Sequence, residues 1–175
     1  VIGSRDAGSF EGAVHVVFGE EAGWADMSLA TLAPAEGFRI GGDAAGDQFG
    51  TDVANAGDVN GDGYDDIIVG APLGEAGGTN TGEAYVIFGK AGGFASIDVT
   101  SLPAADGFRI LGDADGDDAG RSVSSAGDIN DDGYDDLIVG AGNGDNAATN
   151  AGEAYVIFGH AGAFSNIDLT TLTPA

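Results

Sequence analysis

The chain has no cysteine among its 175 residues, which excludes a disulfide framework, a thiolate metal site and a cysteine nucleophile. Positive charge is almost as scarce. Five basic residues stand against 29 acidic ones, for a net charge of -24. So negative a surface repels nucleic acid and anionic membranes, and it opposes its own compaction unless bound cations offset the repulsion. Metal is therefore expected. Apolar runs last only a few residues, far short of the ~20 that a membrane-crossing helix needs, and residue 1 is Val with no signal-like start. No membrane span is expected. The only two histidines, His15 and His160, have no Ser or Asp placed beside them as a catalytic triad requires. The chain is expected not to be an enzyme.

Apolar residues, by contrast, make up 43% of the chain and fall in ordered runs, which excludes the disorder that high charge and 33 glycines otherwise suggest. The glycines form no phosphate-binding pattern leading into a helix and read as turn residues. The sequence also repeats. Gly37-Phe38-Arg39-Ile40 returns as Gly107-Phe108-Arg109-Ile110, Asp58 returns as Asp128, and the run Gly82 to Gly89 returns as Gly152 to Gly159. The spacing is the same each time, a period of about 70 residues. Gly12 to Gly19 lies one period before Gly82 to Gly89, as Trp24 does before Phe94. The chain thus divides into residues 1–36, the back half of one repeat, then 37–106 and 107–175, each a repeat.

Within a repeat the runs are short, β-branched or aromatic, and bounded by Gly, Asn and Asp, with no helical period. Phe49 to Ala56, Asp66 to Ala71, Glu83 to Phe88 and Phe108 to Leu111 are predicted as four strands. Ile67-Ile68-Val69 and Tyr85-Val86-Ile87-Phe88 do not alternate polar with apolar, so both faces of their sheet are predicted to be covered. Four-stranded sheets stacked face to face around an axis, the blades of an all-β propeller, meet that demand. A parallel β-helix is the alternative, but its coils repeat at a much shorter period than this one.

Each full repeat holds an acidic nine-residue loop between its first and second strands. Asp58-Val59-Asn60-Gly61-Asp62-Gly63-Tyr64-Asp65-Asp66 becomes Asp128-Ile129-Asn130-Asp131-Asp132-Gly133-Tyr134-Asp135-Asp136. A hard cation takes six to eight oxygens, and side chains at positions 1, 3 and 5 converge on it when the backbone turns sharply at a glycine in position 6. Asp58, Asn60 and Asp62, then Asp128, Asn130 and Asp132, hold those positions, with Gly63 and Gly133 at the turn. Tyr64 or Tyr134 offers a backbone carbonyl, and Asp66 or Asp136 closes the shell with a bidentate carboxylate. Only oxygens are offered, which favours Ca2+ over zinc or copper, at about two ions per chain. An EF-hand is excluded, because position 12 is Val69 or Val139 where that motif needs Glu.

Phe49-Gly50, the acidic loop and Gly70-Ala71-Pro72 together resemble the FG-GAP repeat of integrin α chains, which also occurs in bacterial secreted proteins and in a fungal lectin. The resemblance implies a seven-bladed propeller, of which this chain supplies about two and a half blades, with structural calcium opposite the main ligand face. It further implies a secreted or cell-surface module, of bacterial type, for adhesion, recognition or scaffolding. A glycan-binding propeller, or a non-catalytic one attached to a hydrolase, is the alternative. Seven blades need about 490 residues at this repeat length, so further repeats of the same chain or neighbouring copies are the expected partners, beside a protein or glycan ligand. The later repeat departs from the pattern with Ala119-Gly120 and Gly140-Ala141-Gly142.

Weaker signals are expected to be structural. The run Asp113 to Asp118 offers oxygens to a further ion, but its counterpart Asp43 to Gln48 lacks the middle carboxylate, so a solvated turn is the expected reading. His15, at the strand position of Tyr85 and Tyr155, reads as packing. Arg39 and Arg109 are expected to pair with neighbouring acidic loops, and Trp24, Phe94 and Phe164 to anchor the connections between blades.

Overall fold

The computed structural model describes residues 2–4, 11–20, 26–145 and 151–172. Its strands, in chain order, are Ile2–Ser4 (β1), Ala13–Val17 (β2), Gly37–Gly41 (β3), Val53–Gly57 (β4), Asp66–Ala71 (β5), Glu83–Ile87 (β6), Ile97–Asp98 (β7), Gly107–Leu111 (β8), Ala119–Gly127 (β9), Asp136–Ala141 (β10), Glu153–Ile157 (β11) and Ile167–Asp168 (β12). Three 3-10 turns, Leu29–Thr31, Val99–Ser101 and Leu169–Thr171, are the only other regular elements among the described residues. Asp98 and Asp168 each accept the backbone N–H of the residue two further on, which starts the latter two turns. No helix of the described residues is long and apolar enough to cross a membrane.

The strands form three sheets, in the orders β1-β2-β3-β7, β4-β5-β6-β8-β12 and β9-β10-β11. In the middle sheet β4, β5, β6 and β8 are consecutive antiparallel neighbours, with Val69 opposite both Val53 and Tyr85. These are the four strands the sequence predicts, with shifts of one residue at three ends and one larger change. The first begins at Val53 rather than Phe49, because Gln48 and Gly50 take positive φ (59° and 84°) and turn the chain there. Gly50 N then donates to Gly70 O (3.0 Å) and Gly70 N to Asp52 O (2.9 Å), so the turn is stitched to β5.

Side chains alternate across the middle sheet. Val69, Tyr85 and Ile87 join Val14, Phe38 and Ile40 of the first sheet in one core. Ile68, Val86 and Ile110 join Val123, Leu137 and Val139 of the last sheet in another. Both faces of β5 and β6 are thus covered, and each fully buried Ile, Leu or Phe contributes about 1.5–3 kcal/mol. This face-to-face stacking of small antiparallel sheets is the packing of propeller blades. It depends on close backbone approach, since a Cβ at Gly70 would collide with the Gly120 carbonyl. The aromatic anchors also pack as expected. Phe94 stacks on Phe38 at 4.5 Å between centroids and Phe164 on Phe108 at 4.6 Å. Trp24 lies outside the described residues.

Candidate metal centre

The two acidic loops adopt one conformation. Asp58 Oδ1 accepts from Asp62 N at 3.0 Å and its Oδ2 from Gly63 N at 2.9 Å. Asn60 Oδ1 accepts from Asp62 N at 2.9 Å, and Asp62 Oδ1 from Tyr64 N at 2.9 Å. The later loop repeats every bond: Asp128 takes Asp132 N (3.0 Å) and Gly133 N (2.8 Å), Asn130 takes Asp132 N (3.1 Å), and Asp132 takes Tyr134 N (3.0 Å). Side-chain oxygens at positions 1, 3 and 5 are thereby folded inward over a tight turn whose sixth residue, Gly63 or Gly133, has φ near +90°. The side chains of Asp58, Asn60 and Asp62 are brought together, as are those of Asp128, Asn130 and Asp132.

Asp66 and Asp136 sit beneath the turns rather than on them, at 1% and 0% exposure. The Asp66 oxygens accept from Gly89 N (2.8 Å) and Val59 N (3.1 Å), and those of Asp136 from Gly159 N (2.9 Å) and Ile129 N (3.0 Å). Each oxygen keeps a second lone pair, so these clamps still fit an oxygen-seeking cation. Burial pushes the Asp66 carboxyl up to about 6, against the downward pull of those two N–H bonds, and the neighbouring Asp62 and Asp58 charges push the same way as burial. Hard oxygens alone, gathered where like charges repel, suit calcium and leave nothing for a soft metal.

The first loop is also an interlock between repeats. Asp135 N donates to Asp58 O (3.1 Å), Asp58 N to Asp135 Oδ2 (2.8 Å), and His160 N to Val59 O (3.0 Å). The role of Asp135 was legible only as the recurrence of an Asp-Asp pair, 65–66 and 135–136, one of whose members was left without a task.

Elsewhere the structure corrects one expectation. The turn at Asp113 to Asp118 is not simply solvated: Asp117 and Asp118 are 2% and 8% exposed, and the corresponding Asp47 is 7% exposed. Asp117 faces Asp113 and Glu153, and Asp118 accepts from Asn143 Nδ2 (2.8 Å), while the earlier turn, with Asp43 and Asp47, lies against a polar network of Glu83, Tyr85 and Arg109. The Tyr85 hydroxyl lies 2.8 Å from Asp43 Oδ2 and 2.6 Å from Glu83 Oε2, and Arg109 Nη1 lies 3.6 Å from Glu83 Oε2 and 4.0 Å from Asp43 Oδ2. Arg109 thus pairs with an acidic loop as expected. A glutamate recurring inside an apolar strand, Glu83 and Glu153, was the available signal for this network. His15 is buried at the edge of a core, and burial, then the Arg39 charge, holds its imidazole below the ordinary value. His160 stacks on Phe164 at 4.0 Å between ring centroids.

Residues 49–87 and 119–157 each match the FG-GAP repeat. Two stretches of the chain are thus similar to the FG-GAP repeat. Among similar proteins are integrin alpha-PS5 of Drosophila melanogaster, 40% identical over 59% of this chain and 10% of its own length. Mouse (Mus musculus) integrin alpha-IIb is 37% identical over 54% of this chain and 8% of its own length. Human (Homo sapiens) integrin alpha-6 is 35% identical over 66% of this chain and 9% of its own. The chain therefore spans a tenth or less of these relatives. Each FG-GAP match starts at or just before the strand that leads into an acidic loop, β4 or β9, and ends with β6 or β11, so the loops are integral to the repeat.

Proposed function

We propose that the chain is an extracellular, calcium-binding part of a β-propeller that serves adhesion or recognition, or scaffolds it, rather than catalysis. Asp58, Asn60, Asp62, the Tyr64 carbonyl and Asp66 hold one Ca2+; Asp128, Asn130, Asp132, the Tyr134 carbonyl and Asp136 hold a second. The division at 36/37 and 106/107 assigns one loop to each full repeat. The observation that carries this reading is the inward folding of side-chain oxygens at positions 1, 3 and 5, identical in both loops. Its likeness to integrin α chains supports the surface location and a partner that is a protein, with further repeats completing the propeller.

When bound, the ion cancels the mutual repulsion of three carboxylates in each loop, so it acts on stability. Two measurements test the reading. Calcium calorimetry on the metal-free chain is compared with the Asp58→Ala/Asp128→Ala variant, which is expected to bind two fewer ions. Chelation is expected to lower the melting temperature of the wild type by more than that of the variant. Equal calcium uptake by the two proteins, or preference for zinc, overturns the assignment.

A further inference from the structure

A second group of carboxylates lies at the other end of the blades. β5 runs from the acidic loop at one end of the middle sheet to the β5–β6 connection at the other, where Glu83 opens β6. There one oxygen from each of Asp43, Asp47 and Glu83 lies within 4.8 Å of the other two. That spacing is twice a calcium–oxygen distance of about 2.4 Å, so one ion can touch all three.

Clustered acids alone do not make a site, and the further observation is Asp47. Its side chain is 7% exposed, aims into the cluster, is faced by Asp43, Glu83 and Glu75, and accepts no hydrogen bond from the described residues. Asp43 Oδ1 is likewise buried without a partner. The protein's own donors reach Glu83 and Asp43. Ala76 N donates to Glu83 Oε1 (2.8 Å), and the single Tyr85 hydroxyl proton cannot serve both carboxylates it touches. Arg109 reaches Glu83 and Asp43 but not Asp47. An ionised carboxylate buried among other acids is costly unless a cation joins it. One repeat later Asp117 is likewise buried, 2% exposed, and its Oδ2 has no partner, although the Asp145 N–H bonds its carboxyl and its neighbours among the described residues do not close into the same three-carboxylate group. Above the first cluster an open cavity of about 400 Å³, lined by Asp43, Asp47, Glu75, Asn80 and Glu83, gives room for hydrating water and a path inward.

We propose that Asp43, Asp47 and Glu83 form a second class of calcium site, at the end of the blades opposite the acidic loops, with Asp117 marking its counterpart in the next repeat. Water from the cavity completes the shell. The site stands on residues independent of the 58–66 and 128–136 loops.

Paramagnetic Mn2+, titrated into the isotope-labelled 175-residue chain, tests it residue by residue. Amide signals of 43–47 and 83 are expected to lose intensity at substoichiometric Mn2+, as a group distinct from 58–66 and 128–136. Asp47→Asn, a near-isosteric change, is expected to raise the midpoint for 43–47 at least tenfold and leave the loop amides unchanged. Excess Ca2+ is expected to restore the lost signals. Loss confined to the loops overturns the second site and leaves the loop assignment standing. Loss at 43–47 that Asp47→Asn does not weaken also overturns it. The wild-type map decides the matter by itself if the variant is poorly folded.

Discussion

The most consequential single residues are carboxylates that are costly to bury without partners. Asp66 joins the acidic loop to the start of the β6–β7 connection through Val59 N and Gly89 N, with 1% exposure. Asp66→Ala removes two charge-assisted bonds and leaves two buried N–H groups bare, so a loss of about 3 kcal/mol is expected in chelator, where metal plays no part. Denaturant unfolding measures it, and a loss below about 1 kcal/mol means that the clamp is incidental. His15 gives a pH test. Its neighbours across the strands are Ile2 and Arg39, and burial with the Arg39 charge depresses its pKa. The unfolded state therefore binds more protons just below the ordinary value near 6.5, and stability falls as pH drops through that value. His15→Tyr, the residue type at the equivalent positions 85 and 155, is expected to remove this loss between pH 7 and about pH 5.5. In that window the Asp66 carboxyl, pushed up to about 6, acts with the opposite sign, so the variant gains melting temperature relative to the wild type as pH falls.

The recurring glycines show what each element tolerates. Gly70 in β5 has ordinary φ, yet a Cβ there meets the Gly120 carbonyl, a backbone atom that cannot turn aside. Gly63 has open space around it but a φ of +90°. Gly70→Ala is accordingly expected to cost about 2–3 kcal/mol by overpacking, and Gly63→Ala about 1–2 kcal/mol by strain alone. If Gly63→Ala proves the costlier of the two in chelator, the sheets do not meet as closely as described. Much at this scale was legible beforehand, because the repeat shows each strand and loop twice. The four strands of the middle sheet, both acidic turns and the stacked Phe94 and Phe164 all follow from short apolar runs, turn residues and recurrence. The start of the first strand was misplaced because Phe49 looks like strand and is buried like strand, while positive φ at its two neighbours ends the extended run. The network around Glu83 was hidden for a different reason. Asp43 and Asp47 come from one turn, Glu83 from β6 and Arg109 from β8, and no local pattern brings the three segments together.

For the whole molecule, repetition means that equivalent residues need not have equivalent surroundings. A net charge of -24 opposes compaction everywhere, so monovalent salt is expected to raise the melting temperature progressively through screening, whereas calcium raises it with saturation at far lower ionic strength. Packing offers a sharper contrast. Val59 is fully buried, in one core cluster with Val86, Phe88, Phe108, Leu137, Ile157 and Phe164. The same positions one repeat earlier, Val16, Phe18, Phe38, Ile67, Ile87 and Phe94, line a cavity of about 250 Å³. Ile129, the counterpart of Val59, is 56% exposed. In this 175-residue chain the second residue of the acidic loop is buried in the core between two sheets at Val59 and exposed at Ile129. Val59→Asp puts an unpaired charge into that core, with an expected cost of about 4 kcal/mol, while Ile129→Asp stays within about 0.5 kcal/mol. Chemical denaturation of the two variants in chelator separates the cases. Losses of similar size would mean that the loop's stability is local to its own turn, and that the bonds from Asp135 and His160 to the first loop do not bind one repeat to the next.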